Sequence, residues 1–340
     1  MISTNIEDNL TKLFNEKQYI KCNDLTCPRE INSCNLNELL NDLRMENVEY
    51  TFSKNCECLV IFTIENESTS KIIRAIQEDQ LLKTKLKIKQ KDRVITLKSF
   101  WEVWELNISL RNEIISSSDP NEEKWKLSRK YKYKLATTFM PAYAKSIYEY
   151  FGCPKIVLDP CSGWGDRLLG AEVVGVKKYI GFDPNYNLRP GYAEIMSLCG
   201  HQPIELSGDF IKFSNSYEIH STPFEIGATS LEDNSVDFIF TSPPFFDYEI
   251  YTDSNPKYRD WIKGFYEPLF RQCSRIIKPN GYVCIYLSDT SAGNIEQFIT
   301  QKVGEITDLV MQRPFGFKGI WSNEIRKIHV FKKIIKENNL

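Results

Sequence analysis

No stretch of the 340-residue sequence holds the ~18 consecutive apolar residues that a membrane-spanning helix requires. Residues 1–10 are too polar for the apolar core of a secretory leader, so an intracellular protein is expected, cytoplasmic or, in a eukaryote, nuclear. Neither charge is in excess: 43 Lys and Arg stand against 45 Asp and Glu, a formal net charge of -2. That balance excludes a uniformly basic, histone-like binder but leaves room for a local basic face. The ten cysteines contain no Cys-x-x-Cys pair. Cys153, Cys161, Cys199, Cys273 and Cys284 stand in apolar or site-like surroundings where free thiols are ordinary, and Cys22, Cys27, Cys34, Cys56 and Cys58 are spaced irregularly. Scattered thiols rather than a disulfide framework are therefore expected, with a zinc site among the five N-terminal cysteines as the alternative. Internal repeats and low-complexity tracts are also missing, which leaves a globular chain of one large or two ordinary domains.

Two textures follow one another. Residues 35–44 and 68–83 carry Leu and Ile at helical spacing, and 58–64 reads as a strand. Lys85-Leu86-Lys87-Ile88-Lys89 alternates strictly, turns near Lys91 and Asp92, and resumes over 94–97 as a hairpin does. A further helix is expected over 99–115, ended by Ser116-Ser117-Ser118-Asp119-Pro120, the best linker in the sequence. The expectation is a small α+β N-terminal domain over 1–120 and a second domain over 121–340. The second opens with Lys124, Lys126, Arg129, Lys130, Lys132 and Lys134 interleaved with Trp125, Tyr131 and Tyr133. Cations contact phosphates and aromatic faces stack on bases, so this mixture suits nucleic acid; a solvated helix face is the alternative.

After an apolar helix over 142–151, strands at 156–158, 179–182, 219–224, 236–240 and 282–287 alternate with helices at 168–174, 192–199, 258–277 and 294–303. The strands are continuous in apolar residues. That pattern predicts an α/β fold, a mostly parallel sheet with helices on both faces, closed by a strand over 325–335 for which an antiparallel direction is open.

The chemistry-bearing residues fall at successive strand ends. Asp159-Pro160-Cys161-Ser162-Gly163-Trp164-Gly165-Asp166-Arg167 lies between the first strand and its helix, where glycines let the backbone approach a ligand and the helix offers free N–H groups. The third glycine of a dinucleotide loop is missing, and no Gly-Lys-Ser/Thr follows to make a phosphate loop. Asp183 ends the second strand, where an acid accepts hydrogen bonds from ribose hydroxyls. Glu225 follows the third, placed to meet an adenine edge. Thr241-Ser242-Pro243-Pro244-Phe245-Phe246 ends the fourth. Each proline locks φ and gives up its N–H while its carbonyl still accepts, so this rigid ledge can hold a flat, amine-bearing ring. Taken alone it could equally be a strand stop; four equipped strand ends in a row argue for a ligand site.

In these motifs the sequence resembles the class I S-adenosylmethionine-dependent amino-methyltransferases, the N6-adenine and N4-cytosine nucleic-acid methylases. The resemblance covers about residues 135–335 and rests on Asp159-Pro160-x-x-Gly163-x-Gly165 as cofactor loop, Asp183 as ribose acid and Ser242-Pro243-Pro244-Phe245 as catalytic motif. It implies a Rossmann-like class I methyltransferase fold with S-adenosyl-L-methionine as cofactor, held by Phe139, Asp159, Pro160, Cys161, Gly163, Trp164, Gly165, Asp183 and Glu225. For Phe139, core packing is an equal alternative. It also implies that Ser242 and the Pro243 carbonyl accept the two N–H bonds of an exocyclic amine, turning its lone pair outward. Phe245 would stack on a base that has left its helix. Phe246, Tyr248, Tyr251, Lys130, Lys132 and Lys134 are the expected substrate contacts, and Asp247 is a pocket group or a loop cap. The family motif most often ends in Tyr; with Ser first and Phe last, adenine and cytosine both stay open.

The expected function is thus site-specific DNA methylation at adenine N6 or cytosine N4, with target recognition by residues 1–120, the basic stretch and the loop over 247–259. RNA adenine methylation is the nearest alternative. A non-catalytic nucleic-acid-binding subunit of the same fold, and transfer to a protein amide or small molecule, are alternatives of other classes. Arg313, Lys318 and Trp321 flank Pro314-Phe315-Gly316-Phe317, read as a loop that either touches the substrate backbone or is a turn with a packed Trp.

Overall fold

The protein is described by a computed structural model over residues 36–53, 57–64, 68–90, 93–245, 248–251, 260–290, 294–318 and 324–335. Its strands are β1 (Glu49–Phe52), β2 (Val60–Thr63), β3 (Lys85–Gln90), β4 (Arg93–Thr96), β5 (Ile156–Asp159), β6 (Lys178–Phe182), β7 (Pro203–Leu206) and β8 (Phe210–Phe213). They continue as β9 (Glu218–His220), β10 (Val236–Thr241), β11 (Glu249–Ile250), β12 (Ile277–Tyr286), β13 (Leu309–Met311), β14 (Phe315–Lys318) and β15 (Ile325–Lys333).

One 12-stranded sheet runs β1-β2-β14-β15-β12-β10-β5-β6-β9-β8-β7, with β13 beside β15. From β9 to β12 every pairing is parallel; β15 then lies antiparallel to β12, and β14 antiparallel to β15. A parallel sheet that turns outward from β5 and places its last strand antiparallel, inserted before the edge, is the class I methyltransferase fold. The strand order reverses at β5 and β10, so the crevice for a ligand opens at their carboxyl ends.

Period-two alternation feeds both faces. Val157, Tyr179, Phe238 and Phe240 point to a core shared with the helices Pro141–Tyr150, Asp166–Val173 and Arg189–Leu198; Leu158, Ile180 and Ile239 point to the opposite core, under the helix Glu267–Ile276. Each of these strand residues is at most 3% exposed.

The N-terminal segment belongs to this framework. β2 pairs in parallel with β14, and β3 and β4 form a hairpin whose first strand takes β11 as its other neighbour. The expected linker at 116–120 is a turn: Asp119 caps the helix Pro120–Lys126 by accepting from the Glu122 amide at 3.1 Å, with Pro120 in its first turn. The helix expected over 99–115 is two helices. Ser99 and Glu102 form a capping box on Phe100–Leu106, and Asn107 ends that helix while capping Ile108–Ile115 through the Leu110 amide.

Three further expectations are corrected. Residues 315–318 are not a loop but β14, between β15 and β2, and Arg313 donates to the carbonyls of Ser53 and Cys58 at 3.1 and 3.2 Å. The strand expected to reach Phe224 stops at His220, and Phe224 opens the short helix Phe224–Gly227. Cys153 is exposed, in the left-handed turn that ends the helix before β5. Trp321, Cys22, Cys27, Cys34 and Cys56 lie outside the described residues. No helix among the described residues is long and apolar enough to cross a membrane.

Candidate active site

The loop after β5 is fixed from both sides. Thr241, the last residue of β10, accepts from the Cys161 amide through its hydroxyl at 3.0 Å, and the Ser162 amide donates to the Phe182 carbonyl of β6 at 2.8 Å. Below it, Asp159 is completely buried and does not face outward as a ligand group. It accepts from Arg167 Nε at 2.8 Å and from the Tyr179 hydroxyl at 2.7 Å, while the Arg167 guanidinium also holds the Cys161 carbonyl. Pro160 is buried in the turn, and burial drives the Cys161 thiol well above its ordinary range.

Gly163 and Gly165 have φ of +54° and +96°, the left-handed region where a side chain is strained. At Gly165 a Cβ would also meet Ile195 Cδ1 at 2.6 Å. The turn places the Gly163 amide 2.9 Å from Asp183 Oδ2, while Asp183 Oδ1 accepts from the Asn185 amide at 2.8 Å. Burial pushes the Asp183 carboxyl up to about 7 against these two donors. Trp164 is buried; its carbonyl accepts from Gln77 Nε2 at 3.3 Å, so the N-terminal segment braces the loop. Glu225 lies in the first turn of Phe224–Gly227.

Ser242 and Pro243 line a cavity of about 120 Å³ together with Gly163, Trp164, Phe139 and Phe245. The Pro244 carbonyl accepts from the buried Tyr266 hydroxyl at 3.0 Å, which pins the second proline of the ledge. Phe245 sits 6.0 Å from the ring of Tyr286 and 6.4 Å from that of Tyr248. Phe139 lines the cavity and also packs in an aromatic cluster, 5.2 Å from Tyr286 and 5.5 Å from Phe240, with the Arg167 guanidinium 5.7 Å over its face. Phe139 is thus packed in the core on one side and open to the cavity on the other. Met140 follows with φ of +67°, a strained conformation on the same wall.

Tyr251 lines the cavity, its ring 5.4 Å from Trp164 and its hydroxyl donating to Glu249. Lys134 Nζ donates to the Tyr248 hydroxyl at 2.6 Å. Lys130 is ion-paired with Glu113 at 2.5 Å, and Lys124 forms a buried pair with Glu78; Lys132 is exposed at the left-handed end of the helix Ser128–Tyr131. Phe246 and Asp247 lie outside the described residues.

Several groups at the site carried no sequence assignment. Glu249, on β11, lines the cavity with its carboxyl pushed up to about 7 by burial, opposed by the Tyr251 hydroxyl and the charge of Lys134. Asp166, two percent exposed, lines it with its carboxyl likewise pushed up to about 7 by burial. Thr137, Thr138, Tyr286 and Arg326 complete the polar wall. Asp166 and Arg167 directly follow the glycine loop, a signal that was present in the sequence; Glu249 and Arg326 arrive through tertiary pairing. No group of three or more His, Cys, Asp or Glu that could hold a metal occurs among the described residues.

No protein-family model matches the chain, and no curated protein matches it in sequence. Among solved structures the chain is similar to a Pyrococcus horikoshii protein assigned as an RNA methyltransferase, with 15% identity, 58% of this chain and 83% of that chain covered, and a TM-score of 0.39. It is similar to a methyltransferase from Geobacter sulfurreducens, with 9% identity, 62% and 85% covered, and a TM-score of 0.38. It is also similar to TrmN from Thermus thermophilus, with 14% identity, 57% and 49% covered, and a TM-score of 0.38. Likeness at this level assigns neither a substrate nor an activity.

Proposed function

We propose that the protein is a methyltransferase that uses S-adenosyl-L-methionine to methylate an exocyclic amine of a nucleobase in DNA, at adenine N6 or cytosine N4. The observation that carries the reading is the shared cavity: Ser242 and Pro243 of the ledge face the same space as Gly163 and Trp164 of the glycine loop. The residues present fit the cofactor. Asp183 keeps acceptor capacity for ribose hydroxyls beside its two backbone donors, the positive φ at Gly163 and Gly165 keeps the loop free of side chains, and Glu225 follows the neighbouring strand. When bound, S-adenosyl-L-methionine would supply a methyl group on a positively charged sulfur: an aimed amine lone pair takes the methyl as the C–S bond pair returns to sulfur, and the amine then gives up one proton to solvent.

Ser242 and the Pro243 carbonyl do the aiming. An exocyclic amine is conjugated with its ring; accepting both of its N–H bonds draws the nitrogen towards sp³ and turns the lone pair out of the ring plane. Proline at 243 and 244 fixes the backbone, and the Tyr266 hydroxyl engages the Pro244 carbonyl, so the neighbouring Pro243 carbonyl has a set direction. Phe245 offers a stacking face to an extruded base. Asp159, locked by Arg167 and Tyr179, keeps the loop in shape and leaves ligand contact to its neighbours. Lys132 and Lys134 are the candidate contacts to backbone phosphates, and the β3–β4 hairpin, whose first strand pairs with β11 just after the ledge in sequence, is the candidate for target recognition.

Incubation with labelled cofactor and unmethylated DNA or RNA, followed by mass spectrometry of the nucleosides, tests the reading. N6-methyladenine or N4-methylcytosine from DNA, lost in Ser242→Ala and reduced in Phe245→Ala, supports it. Product from RNA alone reassigns the nucleic acid, and no methylated nucleoside from either overturns the proposal.

A further inference from the structure

Two carboxylates line the cavity, and they differ in one respect. Glu249 is engaged through the Tyr251 hydroxyl. Asp166 has one oxygen, Oδ1, that is buried and has no hydrogen-bond partner among the described residues; on its other side the carboxylate is held by the backbone amides of Phe139 and of Asp166 itself. Leaving such an oxygen buried and unbonded is unfavourable, the more so when the group is charged. The positive charges of Arg167 and Arg74 offset part of the burial, but the hydrogen bonds of the Arg167 guanidinium go to Asp159 and the Cys161 carbonyl and not to Asp166 Oδ1.

We propose that Asp166 Oδ1 is the seat of the α-ammonium group at the amino-acid end of the cofactor. This rests on the methyltransferase reading above and adds a residue to it. Asp166 opens the helix directly after Gly163-Trp164-Gly165, next to Phe139 and on the wall that also carries Thr137 and Thr138. The occupant must bring a hydrogen to the oxygen, and preferably a positive charge. A nucleobase amine is neutral, and the sulfonium is charged but carries no hydrogen. The α-ammonium has both. Its arrival would also satisfy a carboxyl that burial otherwise holds up near neutrality. The hydroxyls of Thr137 and Thr138 line the same wall and suit the α-carboxylate of the same amino-acid end.

The test compares two nucleosides on the full-length protein by isothermal calorimetry. S-adenosylhomocysteine carries the ammonium; 5′-methylthioadenosine shares the adenine, ribose and sulfur but ends before it. Asp166→Asn keeps an acceptor for the Phe139 amide and removes the charge. It is expected to weaken S-adenosylhomocysteine by about 10- to 100-fold and to leave 5′-methylthioadenosine within about twofold. Equal losses for both, or none for the first, overturn the inference. A second arm needs no variant: the unsubstituted protein should bind S-adenosylhomocysteine lacking its α-amino group by a similar factor less tightly than the parent, and equal binding overturns the inference even if Asp166→Asn does not fold. Should neither S-adenosylhomocysteine nor 5′-methylthioadenosine bind the unsubstituted protein, the methyltransferase reading itself falls.

Discussion

The Thr241 hydroxyl accepts a hydrogen bond from the Cys161 amide at 3.0 Å, tying the end of β10 to the loop after β5. The two halves of the proposed reaction centre are therefore tied by a side-chain bond in addition to the pairing of β5 with β10. Thr241→Val keeps the shape and removes the acceptor. The Cys161 amide keeps Asp159 Oδ1 as an acceptor at 3.2 Å, so the loss of stability should be about 1 kcal/mol or less, with weaker S-adenosylhomocysteine binding from a looser loop. Urea unfolding and calorimetric titration check the two effects; an unchanged affinity would show that the loop holds its shape without this bond.

Tyr266→Phe probes the ledge alone. Without the hydroxyl the Pro244 carbonyl loses its partner, and the ledge gains freedom at the point proposed to aim the amine. Methyl transfer should slow by about 3- to 10-fold at saturating cofactor while cofactor affinity is unchanged, a split read from kcat against calorimetric Kd.

Arg167→Met leaves Asp159 as a buried carboxylate without its cation. A loss of about 3–5 kcal/mol in urea unfolding is expected, partly restored by adding Asp159→Asn, because the penalty lies in the uncompensated charge. A double variant no better than the single one contradicts this account.

Glu249 carries a sign that can be measured. Its folded-state carboxyl is raised from 4.5 to about 7 by burial, so between those values the folded protein holds a proton that the unfolded chain has lost. Its contribution to stability is full below about pH 4.5 and is lost as pH rises through about 7. Glu249→Gln should therefore gain on the unsubstituted protein in urea midpoint as pH rises across this interval, and a gap that moves the other way rejects the assignment.

Gly165→Ala forces an alanine into φ of +96°. About 1–3 kcal/mol of destabilisation is expected from backbone strain, with Ile195 able to give way to the new methyl group. Thermal unfolding of this variant beside Gly175→Ala, where positive φ is present but the surroundings are open, separates strain from crowding.

The strands that position the site were legible because their signals are local. Apolar runs ended by Asp159, Asp183 and Thr241 announce buried parallel strands whose ends point at a crevice, and the alternation over 85–97 announces its hairpin. What was hidden depends on partners distant in sequence. Phe315-Gly316-Phe317, next to a proline, resembles a turn until β2 and β15 flank it. Asp159 looked like a ligand group because it opens the glycine loop at a strand end; only the buried Arg167 shows that it holds the loop together. Of the basic stretch, Lys124 and Lys130 are matched by acids from the N-terminal segment, pairings that spacing does not reveal.

The pairing of β2 with β14 sets the order in which the chain becomes whole. Arg313, just before β14, bonds to the carbonyl of Cys58, just before β2, 255 residues away in sequence. During synthesis β2 emerges first and waits, one edge unmatched, until the 255 positions that separate Cys58 from Arg313 have left the ribosome. Contacts of such separation are entropically late and slow. The N-terminal segment should thus lock in as the final folding event, and the bracing of Trp164 by Gln77 would then mature only with that last step.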